Sequence, residues 1–498
     1  MPIPPASSAL LTDLYQLTMA YGYWKTGNAD RDAVFHLYFR SAPFEGGYAV
    51  ACGLDPALAY LDQLRFADEE LAYLATLLGA DGTPLLPDPF LESLRDMRLT
   101  LDVEMVAEGC VVFPNEPLVR VCGPLLQAQL VETALLTHIG FPTLVATKAA
   151  RMALAARGDE VIEFGLRRAQ GPDGGLSASR AAYVGGCTST SNLLAGQRFG
   201  IPVRGTHAHS WVMAFDDELA AFSAYADALP NNVVFLVDTY DTLDGVRHAI
   251  EIGRRLRERG HRLLGVRLDS GDLAYLSIET RRMLDEAGFT DTAILATNEL
   301  DEHVITSLKL QGAPFTVWGV GTRLATAYDQ PALGAVYKLS AVRDDDGRWS
   351  PRVKISEQAA KTTTPGILQV RRYHEPLAHP ERGAFAGDML VDELNPPAEG
   401  AVTMVDPLDP TRRKQFAGDQ PFTPLLEPAM RGGVRVRPES PLPEARDRAS
   451  RTLDGFHAGI KRLVNPHRYP VGLERGLYDQ KIALVLAARE REGRGADD

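Results

Sequence analysis

Apolar and polar positions along the chain fall into two regimes. Up to about residue 130 the pattern is mixed. Residues 10–24 repeat apolar side chains at helical spacing, with Thr12 or Asp13 placed to open the helix. Residues 33–39 (AVFHLYF) read as a strand, as do 99–106 and 117–121, while 58–64 and 68–78 read as helices. The middle is more regular. Apolar, β-rich runs recur at 161–164, 201–205, 233–237, 263–268, 293–296 and 315–320. Amphipathic stretches lie between most of them, for example 245–259, 274–288 and 299–312, the last two closing at Gly288 and Gly312. Strand and helix alternating at roughly thirty residues per unit predict βα units on a parallel sheet. Polar residues collect after each run: Arg167 and Arg168, Thr206 and His209, Asp238, Asp269 and Asp272, Asn298, Thr322. Turns are polar in any α/β protein. A matched set of arginines, carboxylates, a histidine and a glycine turn is more than turn polarity, and it favours a barrel-like sheet with one shared mouth.

Beyond about residue 345 the chain is rich in Pro, Gly and charge. Asp344–Gly347 reads as a hairpin-like turn, 393–400 and 438–444 as loops, 478–489 as a closing helix before a charged tail. The division that follows is an N-terminal α/β domain (1–130), an α/β barrel (131–345) and a C-terminal extension (346–498) packing back on both.

Composition narrows the class. The 498 residues are 45% hydrophobic and 23% charged, as in a soluble globular protein. The net charge of −13 argues against general nucleic-acid or anionic-membrane binding, though not against a local basic cleft. Cys52, Cys110, Cys122 and Cys187 lie far apart with no CxxC spacing, so neither a zinc site nor a disulfide framework is expected. The first residues have no basic, apolar leader, and no later stretch reads as apolar enough to span a bilayer. A cytoplasmic location is expected.

Four segments carry the candidate chemistry. Gly319–Val320–Gly321–Thr322 follows a strand, where backbone N–H groups can meet a phosphate. In RLDSGDL, Asp269 and Asp272 flank a Ser-Gly turn. One carboxylate there can accept from sugar hydroxyls or hold hydrated magnesium, and the other can cap the next helix. GTHAHSW places two histidines after a strand, with no third metal ligand in view. A histidine there can be a nucleophile, a base or a structural group. EFGLRRAQGPDGG puts Arg167 and Arg168 before a glycine turn, suited to a diphosphate or to solvent.

Together with the opening LLTDLYQLTMAYGYWKTG, these segments resemble the nicotinate phosphoribosyltransferase family nearly end to end. GGCTSTSNLLAGQRFGIPVRGTHAHSWVMAF, YKLSAV, the KxTxPG segment at Lys361–Gly366 and the closing NPHRYPVGLERGLYDQK extend the match. The resemblance implies an irregular, TIM-like α/β barrel with an N-terminal α/β domain and a C-terminal extension. It implies transfer of a phosphoribosyl group from phosphoribosyl pyrophosphate to nicotinate in NAD salvage, coupled to ATP. It also implies Mg2+ arriving with the phosphates rather than a metal held by protein alone, and a homodimer with shared sites. Carried over by position, His209 is the histidine phosphorylated from ATP and Asp238 the carboxylate that orients it. Tyr15, Thr206 and Arg267 contact nicotinate, Tyr15 by stacking. Asp269 accepts from the ribose, and Gly319, Gly321 and Thr322 form the 5-phosphate site. Arg40, Arg168 and Lys361 are diphosphate or ATP ligands. The nearest rival is a nicotinamide phosphoribosyltransferase, which shares the fold and the histidine. THAHSW and LLTDLYQ favour the acid. A shorter quinolinate-using relative and a barrel that only senses nucleotides fit less well.

Overall fold

The strand–helix alternation in the middle of the chain builds a parallel sheet that curls back on itself. The computed structural model describes residues 8–358, 361–375 and 383–494. The charged tail expected at the end falls partly outside them. Two compact units divide the chain: residues 1–144 with 332–498, and residues 145–331.

In the second unit six strands are laid down in chain order: β1 (Glu160–Glu163), β2 (Ser189–Thr190), β3 (Val233–Leu236), β4 (Leu263–Leu268), β5 (Ala293–Ala296) and β6 (Val317–Val320). Their order in the sheet is β2-β1-β6-β5-β4-β3, with every pair parallel. The first strand thus pairs with the last, Val317 beside Glu160 and Val320 beside Glu163. Chain order runs round a ring that is open only between β2 and β3. The run at 201–205, expected as a sixth full strand, is reduced to one bridge of Val203 to Thr190, with Thr190 N donating to Pro202 O and Arg204 N to Thr190 O. Pro202 has no N–H to give to a ladder. The short β2 was not read from sequence.

The helices between strands are Gly171–Val184, Thr242–Glu258, Leu273–Glu286 and Glu302–Leu310, among others. Asp241, Asp272 and Asp301 cap three of them through side-chain acceptance of a first-turn N–H. Gly288 (φ +77) and Gly312 (φ +76) take the left-handed turn just past two helix ends, as their positions in sequence suggested.

The other unit is built from both chain ends. A seven-stranded sheet runs in the order 349–351, 335–343, 32–39, 119–124, 102–105, 427–431, 434–435. The C-terminal segment therefore shares a unit with the N-terminal one instead of forming a third body. The reason is strand pairing: Glu427–Arg431 lies antiparallel on Asp102–Met105, and Trp349–Pro351 on Ala335–Arg343, which itself pairs with Asp32–Phe39 although it was expected in the barrel. A second sheet of six strands includes Leu368–His374 and Phe385–Asp392.

One helical stretch, Leu125–Ala156, is long and apolar enough to cross a bilayer, which corrects the expectation that none would be. Most of it is buried within the protein. Lys148 and Arg151 on it are buried and paired with Glu302 at 2.8 and 2.7 Å. Paired charges of that kind suit a core helix.

His36, buried in Asp32–Phe39, accepts the Leu368 N–H on Nε2 at 3.2 Å. Burial, with help from the Arg120 charge, pushes its pKa from 6.5 down to about 3. Since the folded value is the lower, the unfolded chain binds the proton first as pH falls. The stability due to neutral His36 is complete above pH 6.5 and drains away as pH drops from 6.5 toward about 3. His36→Gln keeps an acceptor that does not titrate. Its melting temperature is expected to vary less with pH across that window than the wild type's. Parallel melting curves would remove His36 as the source.

Candidate active site

Each strand of the ring ends in a side chain that holds a neighbouring loop. After β3, Asp238 Oδ2 accepts from Asp269 N (3.0 Å) and Ser270 Oγ (2.6 Å) of the loop after β4. After β5, Thr297 Oγ1 donates to Asp269 Oδ1, and Glu299 Oε1 accepts from Thr322 Oγ1 after β6 at 3.1 Å. Arg267, near the end of β4, donates through Nη1 to Thr206 Oγ1. Asn298 takes φ +107, an unusual backbone state for a residue with a side chain, beside these groups.

His209 opens a short helix, His209–Met213, and is half-buried. Its Nδ1 lies 3.2 Å from Thr239 Oγ1 and its Nε2 3.8 Å from Asp269 Oδ2. The expected hydrogen bond to Asp238 is therefore corrected: Asp238 is turned toward the 269–270 loop, and Thr239 takes its place on the ring. Asp238 Oδ1 is buried and accepts no hydrogen bond among the described residues.

Arg267 is the cation at the centre. Burial lowers its pKa, while Asp269 and Asp238 act in the opposite sense and Arg167 adds to the lowering. Its Nε–H is buried without an acceptor among the described residues. Both arginines after β1 are exposed on the turn Leu166–Arg168, and it is Arg167 whose charge reaches this group. Asp272 caps its helix by accepting from Tyr275 N at 3.1 Å. Of the two aspartates of RLDSGDL, Asp272 thus takes the capping role and Asp269 is the one that faces His209.

Gly319 lies inside β6, not in the turn after it. A Cβ there would sit 2.6 Å from Thr297 Cγ2 and 2.7 Å from the Phe164 ring, so packing demands this glycine. Gly321 and Thr322 form the turn itself, and Gly321 has room, with Phe164 O at 3.6 Å from a built Cβ. Tyr15, Arg40 and Lys361 belong to the other unit. Tyr15 is 48% exposed on Leu14–Lys25, and burial of the remainder raises its pKa. Arg40 follows Asp32–Phe39 and hydrogen-bonds Tyr38. Lys361 is exposed.

Several site groups escaped the sequence reading. Thr239, Ser270 and Thr297 are loop hydroxyls whose roles depend on which strands are neighbours. Glu163, buried at the end of β1, accepts from Ser179 Oγ (2.8 Å) and Thr190 Oγ1 (2.6 Å) and fixes the start of the arginine turn. Among the described residues no cluster of three His, Cys, Asp or Glu could hold a metal ion.

A ring of parallel strands with acids, an arginine and a histidine gathered at their carboxyl ends is the arrangement of α/β-barrel enzymes. The family model for the nicotinate phosphoribosyltransferase (NAPRTase) N-terminal domain matches residues 10–140, and that for the C-terminal domain matches 377–481. The chain is 43% identical to nicotinate phosphoribosyltransferase of Bacillus subtilis over 97% of this chain and 96% of that one. It is 41% identical to nicotinate phosphoribosyltransferase pncB2 of Mycobacterium tuberculosis over 93% and 91%. The solved structure of human nicotinic acid phosphoribosyltransferase superposes with a TM-score of 0.82 at 34% identity, over 95% of this chain and 99% of that one. This chain belongs to the nicotinate phosphoribosyltransferase family.

The packing around Gly319 yields a direct test. Gly319→Ala should destabilise the protein by about 1–3 kcal/mol, the usual cost of an extra methyl in a filled core. Chemical denaturation measures it. An unchanged midpoint together with lost turnover would instead make Gly319 a ligand contact.

Proposed function

We propose that this chain transfers the phosphoribosyl group of phosphoribosyl pyrophosphate to nicotinate, in the cytoplasm and as a step of NAD salvage, with ATP hydrolysis coupled through phosphorylation of His209. The observation that carries the reading is the setting of His209. It stands at the ring's carboxyl end with one nitrogen on Thr239 and the other facing Asp269, beside the Arg267–Thr206 pair. The names of the full-length relatives supply the substrate.

The chemistry suits these residues. In the transfer, the pyridine nitrogen bonds to C1 of the ribose as the C1–O bond breaks and diphosphate leaves with the electron pair. Nicotinate is a flat anion, and the unsatisfied Arg267 Nε–H is a donor for its carboxylate, with Thr206 alongside. Tyr15 supplies a flat ring. Asp269 accepts from ribose hydroxyls, Gly321 and Thr322 meet the 5-phosphate with Gly319 shaping the strand beneath, and Arg40, Arg168 and Lys361 meet the diphosphate. Magnesium would neutralise the phosphate oxygens. It is bound mainly by substrate and water, so one or two carboxylates suffice, and the orphaned Asp238 Oδ1 fits that need. Holding the reactants in line lowers the entropic barrier, and fixed cations stabilise the departing charge.

For His209 the proposed tautomer carries the proton on Nδ1, donated to Thr239 Oγ1. Nε2 is then the nucleophile: an N–P bond forms as the bond to the ATP γ-phosphorus breaks and ADP leaves. His209→Ala should lose ATP stimulation and the acid-labile, base-stable phosphate on the protein, while keeping a slow ATP-independent transfer. Full ATP-stimulated turnover in that variant would defeat the assignment.

We also propose a homodimer in which Tyr15 reaches the partner's site. Leu11, just before the opening helix, and Leu14, Tyr15 and Trp24 on it are 36–52% exposed, an apolar set that a partner subunit would cover. Mixing Tyr15→Ala with His209→Ala subunits should restore activity to one of the two sites in each heterodimer. No recovery after demonstrated subunit exchange would place Tyr15 in its own subunit's site or in none.

A further inference from the structure

GTHAHSW contains a second histidine, His207, that the proposed chemistry does not use. It is buried, at 8% exposure, with its ring against Tyr225 (4.9 Å between centroids), Phe222 (6.1 Å) and Phe235 (6.3 Å). Its place in the ring of strands is the gap between β2 and β3. Segment 201–207 is bridged to β2 by backbone pairs at Thr190. On its other side Leu236 N, at the end of β3, donates to His207 Nε2 at 3.2 Å. An imidazole stands where a strand's carbonyl would otherwise be.

The same residue is wired into the site. His207 Nδ1 lies 3.3 Å from the Ala208 carbonyl, and the Thr206 hydroxyl donates to the His207 carbonyl at 3.3 Å. Thr206 in turn accepts from Arg267, and Ala208 is the residue from which the His209 helix starts. With Nδ1 donating to Ala208 and Nε2 accepting from Leu236, both ring nitrogens are committed and the ring is neutral. Burial, and the nearby Arg267 and His209, hold its pKa at about 4.

We propose that His207 is a positioning residue: it fastens the 205–209 loop to β3 and thereby sets the Thr206–Arg267 pair and the place of the His209 ring. The inference rests on the reading of Thr206, Arg267 and His209 as site groups. Glutamine can offer an acceptor to Leu236 N at similar reach, asparagine falls short, and leucine offers none while keeping apolar bulk. Any sizeable effect of leucine alone could reflect packing, so the contrast between glutamine and asparagine carries the decision.

The test uses the full chain in four forms: wild type, His207→Gln, His207→Asn and His207→Leu. Two readouts are taken. One is steady-state turnover with nicotinate, phosphoribosyl pyrophosphate, magnesium and ATP. The other is the ring-nitrogen NMR spectrum of 15N-histidine protein, with His209 assigned by its loss in His209→Ala. His207→Leu and His207→Asn should raise KM for nicotinate by about tenfold, the effect of one lost buried hydrogen bond. They should leave KM for ATP nearly unchanged and move the His209 ring signals. His207→Gln should restore both readouts to near the wild type. If glutamine and asparagine behave alike, or if the leucine form melts lower with KM and the His209 signals unmoved, His207 is packing only and the proposal fails. If leucine does not fold, the glutamine–asparagine pair decides. If the wild type lacks the proposed turnover, the functional reading fails on its own, and the His209 spectrum still judges the positioning role.

Discussion

The pairing of β6 with β1 is the constraint on which the site depends. Parallel strands that merely lie side by side present their carboxyl ends along a line. Once the last strand pairs with the first, the same ends face one another, and loops far apart in sequence come within hydrogen-bond reach. The closure is costly to the sequence at one point. Where β6 runs past Phe164 and Thr297 there is no space for a side chain, and Gly319 is the only residue that fits. Trp318 beside it is fully buried, its indole N–H donating to Asp159 at 2.9 Å, so the strand is locked on both sides of the glycine.

The pairing of β3 with β4 also brings like charges together. Asp238 and Asp269 follow adjacent strands and would repel across a bare mouth. The structure offsets that by giving each carboxylate donors from the next loop: Asp269 N and Ser270 Oγ for Asp238, Thr297 Oγ1 for Asp269. Arg267 supplies the positive charge beside them, and its buried Nε–H has no acceptor among the described residues.

This separates what could be read from the sequence from what could not. Five of the six barrel runs were legible because buried parallel strands are short, apolar and punctuated by polar turns. The run at 201–205 looked the same but lacks a strand partner on one side, and pairing is not written in local pattern. The residues of the site were legible as types at strand ends. Their partners were not. Asp238 and Thr239 are neighbours in sequence, and which of them meets His209 is decided by side-chain direction and by the pull of the 269–270 loop. The C-terminal segment read as an extension of its own because Glu427–Arg431 pairs with Asp102–Met105, more than about three hundred residues earlier, a separation no local signal spans.

Histidine resolves a recurring difficulty in both units. A strand that ends or starts without a ladder partner leaves a backbone N–H buried, and such a group must be satisfied. A carboxylate would satisfy it but carry a charge into an apolar site; a hydroxyl is too short to cross the gap. A neutral imidazole reaches further, accepts with one nitrogen and leaves the other to donate. His36 accepts in this way from Leu368 and His207 from Leu236, His207 also meeting the Ala208 carbonyl with its other nitrogen, and in each case burial keeps the ring unprotonated far below neutral pH. The role is possible only because the ring is shielded. His209, two residues further along and open to the mouth, has the same imidazole with one nitrogen on a hydroxyl and the other facing a carboxylate. Within one short motif, depth below the surface therefore separates a histidine sealed from water from one that stands open at the mouth.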